Sequence, residues 1–167
     1  MDIEIKSRQL LEKYPNLGLI VVDHMSIVKI KGGKKTDTRV DEMRKISAGL
    51  HEIAKELNVA ILAVAQVSRD SVKGEVRRPK MADIKESGAI EQDADVIILL
   101  YDELYENNKA KQNKLLENVR HIEAIIAKQR NGSTGIADLI FYKQFSRFEL
   151  PSKELEVQMA FNSNEFN

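Results

Sequence analysis

Two stretches decide the fold: LGLIVVD, Leu17–Asp23, and VAILAVAQ, Val59–Gln66. Each is a run of aliphatic, mostly β-branched or small residues closed by a polar one. Leu17–Val22 and Val59–Ala65 therefore read as strands covered on both faces, as in a parallel sheet. Between them, Val40, Met43, Ile46, Leu50, Ile53 and Leu57 recur at three- and four-residue steps. That is one apolar stripe, so Thr38–Leu57 reads as a long amphipathic helix. Thr38 and Asp41 have the spacing of a capping box, and Asn58 suits the stop. Strand, loop, long helix, strand is a βαβ unit, for which a right-handed crossover is expected.

Working outward, Ile3–Lys13 reads as a short amphipathic helix ending before Pro15. Pro79–Glu91 reads as a short helical or turn segment around Ile84–Gly88. DVIILLY (Asp95–Tyr101) and HIEAIIA (His121–Ala127) read as a third and a fourth buried strand. Asp102–Arg120, polar and rich in Asn and Lys, reads as an excursion between them. Ile136–Tyr142 and Phe145–Leu150 suit a hairpin around Lys143-Gln144. The chain then divides into residues 1–150, one α/β domain, and 151–167, a polar tail. The expected architecture is an open sheet, largely parallel, with an antiparallel edge at its carboxyl-terminal end.

Composition bounds the function. The 167 residues hold 26 basic and 26 acidic side chains and no cysteine. A disulfide scaffold, a thiolate zinc site and a cysteine nucleophile are excluded. No apolar run reaches the roughly 18 residues of a membrane span, and Met1 leads directly into polar residues, so a cytoplasmic chain without a membrane partner is expected. Aromatic residues are 5% and tryptophan is absent, which disfavours base stacking as the main mode of nucleic-acid binding. Net charge is zero, yet it segregates. Val28–Arg39 holds five basic residues (Lys34 and Lys35 among them) against Asp37, and Arg69–Lys80 holds five (Arg69, Arg77 and Arg78 among them) against Asp70 and Glu75. Both stretches contain Gly or Pro, lack apolar periodicity and read as basic loops.

Ligands of open α/β sheets bind at the carboxyl ends of the strands. Asp23 stands at the first such end, Gln66 at the second, and Lys128, Gln129 and Arg130 follow the fourth strand. An aspartate there suits magnesium, which keeps most of its waters and needs one or two carboxylates. It is also a common polar strand end. Gln66 can orient water or sense a γ-phosphate, or simply end a strand. Arg130, in QRNGSTG (Gln129–Gly135), can reach a neighbour's phosphate or stand exposed on a hairpin. The histidines His24, His51 and His121 have no metal-ligand spacing. Nothing matches the phosphate loop G-x-x-x-x-G-K-[ST].

LGLIVVD, ELNVAILAVAQVSR (Glu56–Arg69), RRPKMADIKESGAIEQDADVIILLY (Arg77–Tyr101) and IIAKQRNGSTG (Ile125–Gly135), in this order, resemble bacterial and phage replicative DNA helicases of the DnaB type. The resemblance covers about Leu17 to Leu150 and implies a RecA-like ATPase domain with ATP and Mg²⁺ as cofactors. It implies partners too: single-stranded DNA, a homohexameric ring, a helicase loader and primase, in the cytoplasm of a bacterium or phage-infected cell. By resemblance Asp23 is the Walker B aspartate near Mg²⁺, and Gln66 couples γ-phosphate to the DNA loops. Arg130 is the arginine finger, assisted by Lys128. Lys85, Glu86 and Gly88 match a pore loop on the DNA backbone, where the family more often has arginine at the position of Lys85. Arg69, Arg77, Arg78, Lys34 and Lys35 fall where such a fold lines its channel. His24-Met25-Ser26 stands where the family usually has Tyr-Leu-Gln. The Walker A loop and catalytic glutamate precede Met1 in the family, as do the collar domain and linker helix. The chain therefore resembles the carboxyl-terminal part of a helicase and is expected to show no turnover alone. A second expectation is a non-enzymatic module that enters a helicase ring, offering Arg130 and Lys128 to a neighbour. A recombinase or clock-type RecA relative fits the KESGAIEQDAD segment less well.

Overall fold

The computed structural model describes residues 2–30, 37–67, 77–85, 87–102 and 118–152. The chain forms two compact units: Met1–Ser71 with Lys80–Asp95, and Val72–Pro79 with Val96–Asn167. The 102–120 excursion (103–117) and the tail (153–167) lie mostly outside the described residues. Among those described, no helix is long and apolar enough to cross a membrane.

The first unit is built on the βαβ element. Helix α1 spans Asp2–Lys13, β1 Leu19–Val22, α2 Arg39–Leu57 and β2 Ala60–Ala63. The capping box forms as its spacing predicts. Thr38 Oγ1 accepts from the Asp41 amide at 3.2 Å, and Asp41 Oδ2 accepts from the Thr38 amide at 3.1 Å. The Thr38 hydroxyl and backbone hold the Asp41 carboxyl below its ordinary value. At the other end Asn58 takes the left-handed conformation (φ 51°) and donates its amide to the Ala54 and Lys55 carbonyls. Met43, Ile46, Leu50 and Ile53 are buried, and Ile46 is fully so. Val40, expected in the same stripe, is 50% exposed, because the first helical turn overhangs the core. Arg8 of α1 bridges Glu4 and, on the last turn of α2, Glu56.

β1 and β2 pair in parallel, Leu19 opposite Ala60 and Val22 opposite Ala63. The ladder runs on past both strands: the Val64 amide donates to Val22 O, and the Met25 amide to Val64 O, each at 2.9 Å. The Pro79–Glu91 segment resolves into a 3₁₀ turn, Met81–Asp83, and helix α3, Ser87–Asp93. Buried Asp83 accepts the Lys80 amide at 2.7 Å and so starts that turn.

The second unit is an antiparallel sheet in the order β3-β4-β5-β6. Its strands are Val96–Tyr101, Val119–Gln129, Gly135–Tyr142 and Arg147–Glu149. Antiparallel pairing is thus wider than the edge expected from the sequence: it takes in the third and fourth strands, and the parallel part is the β1–β2 pair. The third strand also departs from its buried reading. Ile97, Leu99 and Tyr101 are buried, whereas Val96, Ile98 and Leu100 are 48–60% exposed. Antiparallel strands commonly cover one face only, and an all-apolar run conceals which one. Arg120, only 3% exposed, donates through Nε to Asp102 Oδ2 at 3.0 Å, and its Nη2 lies 2.9 Å from the same oxygen.

Candidate functional site

Parallel pairing puts the carboxyl ends of β1 and β2 on one edge of the first unit. Asp23 stands there, exposed, directly after Val22. The Asp23–His24 peptide bond is cis. His24 is half-buried, and its Nδ1 has no hydrogen-bond partner among the described residues. Gln66 lies at the same edge, three residues beyond the end of β2. A single hard carboxylate at a strand end fits magnesium, which takes its other oxygens from water and phosphate. No group of three or more His, Cys, Asp or Glu that could cage a metal occurs among the described residues.

The chain beyond β2 does not simply leave the edge. Val67 bridges to Ile84 in antiparallel sense, and the Lys85 amide donates to the Gln66 carbonyl at 3.1 Å. Gln66 is therefore tied through its own backbone to the segment that opens α3. Gly88 sits in the first turn of α3, and has no atom within 4 Å of where a Cβ would stand. Gln66, Lys85 and Ile90 enclose a cavity of about 20 Å³ together with Met25, Arg39 and Met43. That is room for about one water molecule. Arg39, counted by sequence among the loop cations, is committed: Nη2 donates to the Ser26 carbonyl at 2.5 Å and Nη1 to Glu42 at 2.7 Å. It closes the basic loop onto the first turn of α2. Lys34, Lys35, Arg69 and Glu86 lie outside the described residues.

The second unit holds Lys128 and Arg130 at the β4–β5 hairpin. Their strand is antiparallel to β3, with Gln129 opposite Val96, so the rule about parallel strand ends does not apply to them. A β-bulge precedes them. Ile98 pairs with Ile126 and Ile97 with Lys128, which leaves Ala127 as the extra residue. β4 also parts from β5 here, since their register ends at Ile126–Gly135. Bulges bend a strand and re-aim the side chains after it. Lys128 and Arg130 both follow this one. The Gln129 side chain lies over Gly132, where an added Cβ would come within 2.9 Å of it. Arg77 and Arg78 belong to the stretch leading into the first unit's 3₁₀ turn and are grouped with the second unit. Arg78 is held by a bidentate pair with Glu123 on β4, Nε–Oε2 2.5 Å and Nη2–Oε1 2.8 Å. It is fixed on protein, contrary to its reading as a phosphate contact.

Sequence reasoning missed the Ala127 bulge, the Arg120–Asp102 pair and the Gln66–Lys85 tie. Each is a pairing between residues distant in sequence, or a register slip, and no local pattern announces it.

The family model for the DnaB-like helicase C-terminal domain matches residues 1–150. The replicative DNA helicase DnaB of Geobacillus stearothermophilus is 42% identical over 147 residues, 88% of this chain and 31% of that protein. The replicative DNA helicase DnaC of Bacillus subtilis is 41% identical over the same length and shares. The chain thus spans about a third of the length of the curated relatives it matches. Among solved structures, one helicase ATPase domain superposes with a TM-score of 0.76 at 33% identity, covering 90% of this chain and 50% of that one. A DnaB-like replicative helicase solved for its interactions with primase gives 0.77 at 34%, covering 90% and 35%.

Proposed function

Because the chain belongs to the DnaB-like helicase C-terminal domain family, we propose that it supplies the metal-side carboxylate, the phosphate-sensing glutamine and the arginine finger of an ATP-driven helicase. That helicase works as a hexameric ring on single-stranded DNA in the bacterial or phage-infected cytoplasm, with a loader and primase as partners. The Gln66–Lys85 backbone bond carries this reading, with the adjoining Val67–Ile84 bridge. A glutamine that feels a phosphate at the strand edge cannot shift its backbone without moving Lys85 and the start of α3. Lys85, Glu86 and Gly88 are the residues proposed to meet the DNA backbone. Gly88 leaves the backbone open to close approach, as contact with a phosphate strand requires.

Asp23 would hold Mg²⁺ through one oxygen or a bound water. Magnesium-ATP, when bound, supplies the phosphoryl group and a charge-neutralising cation. Lys128 and Arg130, aimed by the bulge, would meet the phosphates of a neighbouring subunit, where a planar guanidinium stabilises charge spread over several oxygens. Lys34, Lys35, Arg69 and Arg77 would add sequence-independent phosphate contacts.

The test is a chimera: the Geobacillus stearothermophilus relative with its matched segment replaced by this chain. DNA-stimulated ATPase activity and unwinding are expected. Arg130→Ala should lower turnover about 10³-fold or more with the hexamer intact. Gln66→Ala should keep basal hydrolysis and lose stimulation by DNA. An Arg130→Ala chimera as active as its parent would overturn the assignment.

A further inference from the structure

The β1–β2 sheet has two unlike faces. On one, Val22 is buried and Ile20, Ile61 and Ala63 are half-buried, with α2 packed against β2. On the other, Leu19, Val21, Leu62 and Val64 are 52%, 56%, 54% and 41% exposed. The register sets Leu19 beside Ala60 and Val21 beside Leu62, so these side chains form one unbroken patch without a charge in it. Parallel strands occur almost only with both faces covered, and contiguous exposed apolar patches mark interaction sites.

The 167 residues contain no phosphate loop, and the chain covers only half of the solved ATPase domain it superposes on. We propose that this patch is the seat of the other half: polypeptide outside these 167 residues that carries a strand, a phosphate loop and an amphipathic helix, the two together completing a DnaB-like ATPase domain. The geometry follows from the strand direction. A phosphate loop sits at the carboxyl end of its strand and opens a helix that runs back along the sheet. A helix laid over Leu19, Val21, Leu62 and Val64 in that way places the loop at the edge that carries Asp23 and Gln66. Its apolar stripe then takes these four side chains out of water. The inference rests on the function proposed above, since it is that site which the added polypeptide completes.

The test co-expresses the 167-residue chain with a polypeptide from the Geobacillus stearothermophilus helicase, namely the part of its ATPase domain that this chain does not match. A 1:1 complex is expected in sedimentation, with magnesium-dependent ATP hydrolysis. Val21→Glu and Leu62→Glu place a charge on a surface already exposed to water. Each variant should keep the circular dichroism and melting temperature of the chain on its own. Each should weaken the complex by about 100-fold, because association would bury an unpaired carboxylate. Absence of a complex overturns the inference. So does a complex that both variants form as well as the parent, or a homodimer of this chain that Val21→Glu dissolves. A variant-sensitive complex without hydrolysis upholds the docking surface and instead sinks the proposed ATPase role.

Discussion

The parallel pair and the antiparallel sheet reach order by opposite means. β4, β5 and β6 pair in sequence order through hairpins, and their side chains meet across neighbouring strands, as the stacked rings of Phe141 and Phe148 do with centroids 4.5 Å apart. β1 and β2 are joined only by the long crossover through α2, and one of their faces is bare. An antiparallel sheet tolerates one solvated face, whereas a parallel one needs cover from elements outside its own ladder. The contrast teaches where each unit stores its stability: the first in one helix stripe, the second in its cross-strand register and one buried ion pair.

The strongest way to break this comparison is at Ile46, the fully buried centre of the α2 stripe. Ile46→Ala should cost about 4 kcal/mol in denaturant unfolding. Hydrogen exchange should show the loss of protection concentrated in α2, β1 and β2. Equal loss across β3–β6 would mean that the two regions open as one block. Next comes Asp102→Ala, which strands the buried Arg120 guanidinium; because Asp102 is itself partly exposed, the cost should be about 3 kcal/mol, the low end for a broken buried pair. An effect near zero would place the stability of the second unit elsewhere.

Thr38→Ala removes the cap of α2 and should cost about 1 kcal/mol by thermal or urea unfolding. The same box sets a pH dependence. The Asp41 carboxyl is lowered by the Thr38 hydroxyl first and its amide second. Its contribution is therefore complete above the ordinary carboxylate value and is lost as pH falls through the lowered one. Asp41→Asn should remove that acid-side slope and leave stability near neutrality less sensitive to acid. The smallest effect is expected at Arg78, whose side chain is 60% exposed despite its pairing with Glu123. Arg78→Ala should change stability by at most about 1 kcal/mol. In the chimera it should leave the salt dependence of DNA binding unchanged, and a shallower salt slope would return Arg78 to the phosphate contacts.

Legibility differed between elements for identifiable reasons. The α2 helix, its Thr38–Asp41 box and the Asn58 stop were readable because capping and periodicity are settled within a few residues. β1 and β2 were readable as strands, and the antiparallel end of the chain was expected, since apolar runs and hairpin turns are local signals. The residues of the candidate site were marked by strand ends and by family resemblance, while their surroundings were not. DVIILLY could not disclose a half-exposed strand, because both of its faces are apolar.

The sequence alone determined the α/β class, the βαβ element with its capped helix, the family, and the positions of Asp23, Gln66, Lys128 and Arg130. Tertiary structure alone decided that Lys85 hangs from the Gln66 carbonyl, that Ala127 slips the register ahead of Arg130, and that Arg78 and Arg120 are held by Glu123 and Asp102. The physical reason is one of range. Helix periodicity and caps depend on neighbours three or four residues away, whereas each of these pairings joins residues well apart along the chain or depends on how two strands align. Among 52 charged side chains, many partners are equivalent in sequence, and only the folded register selects between them.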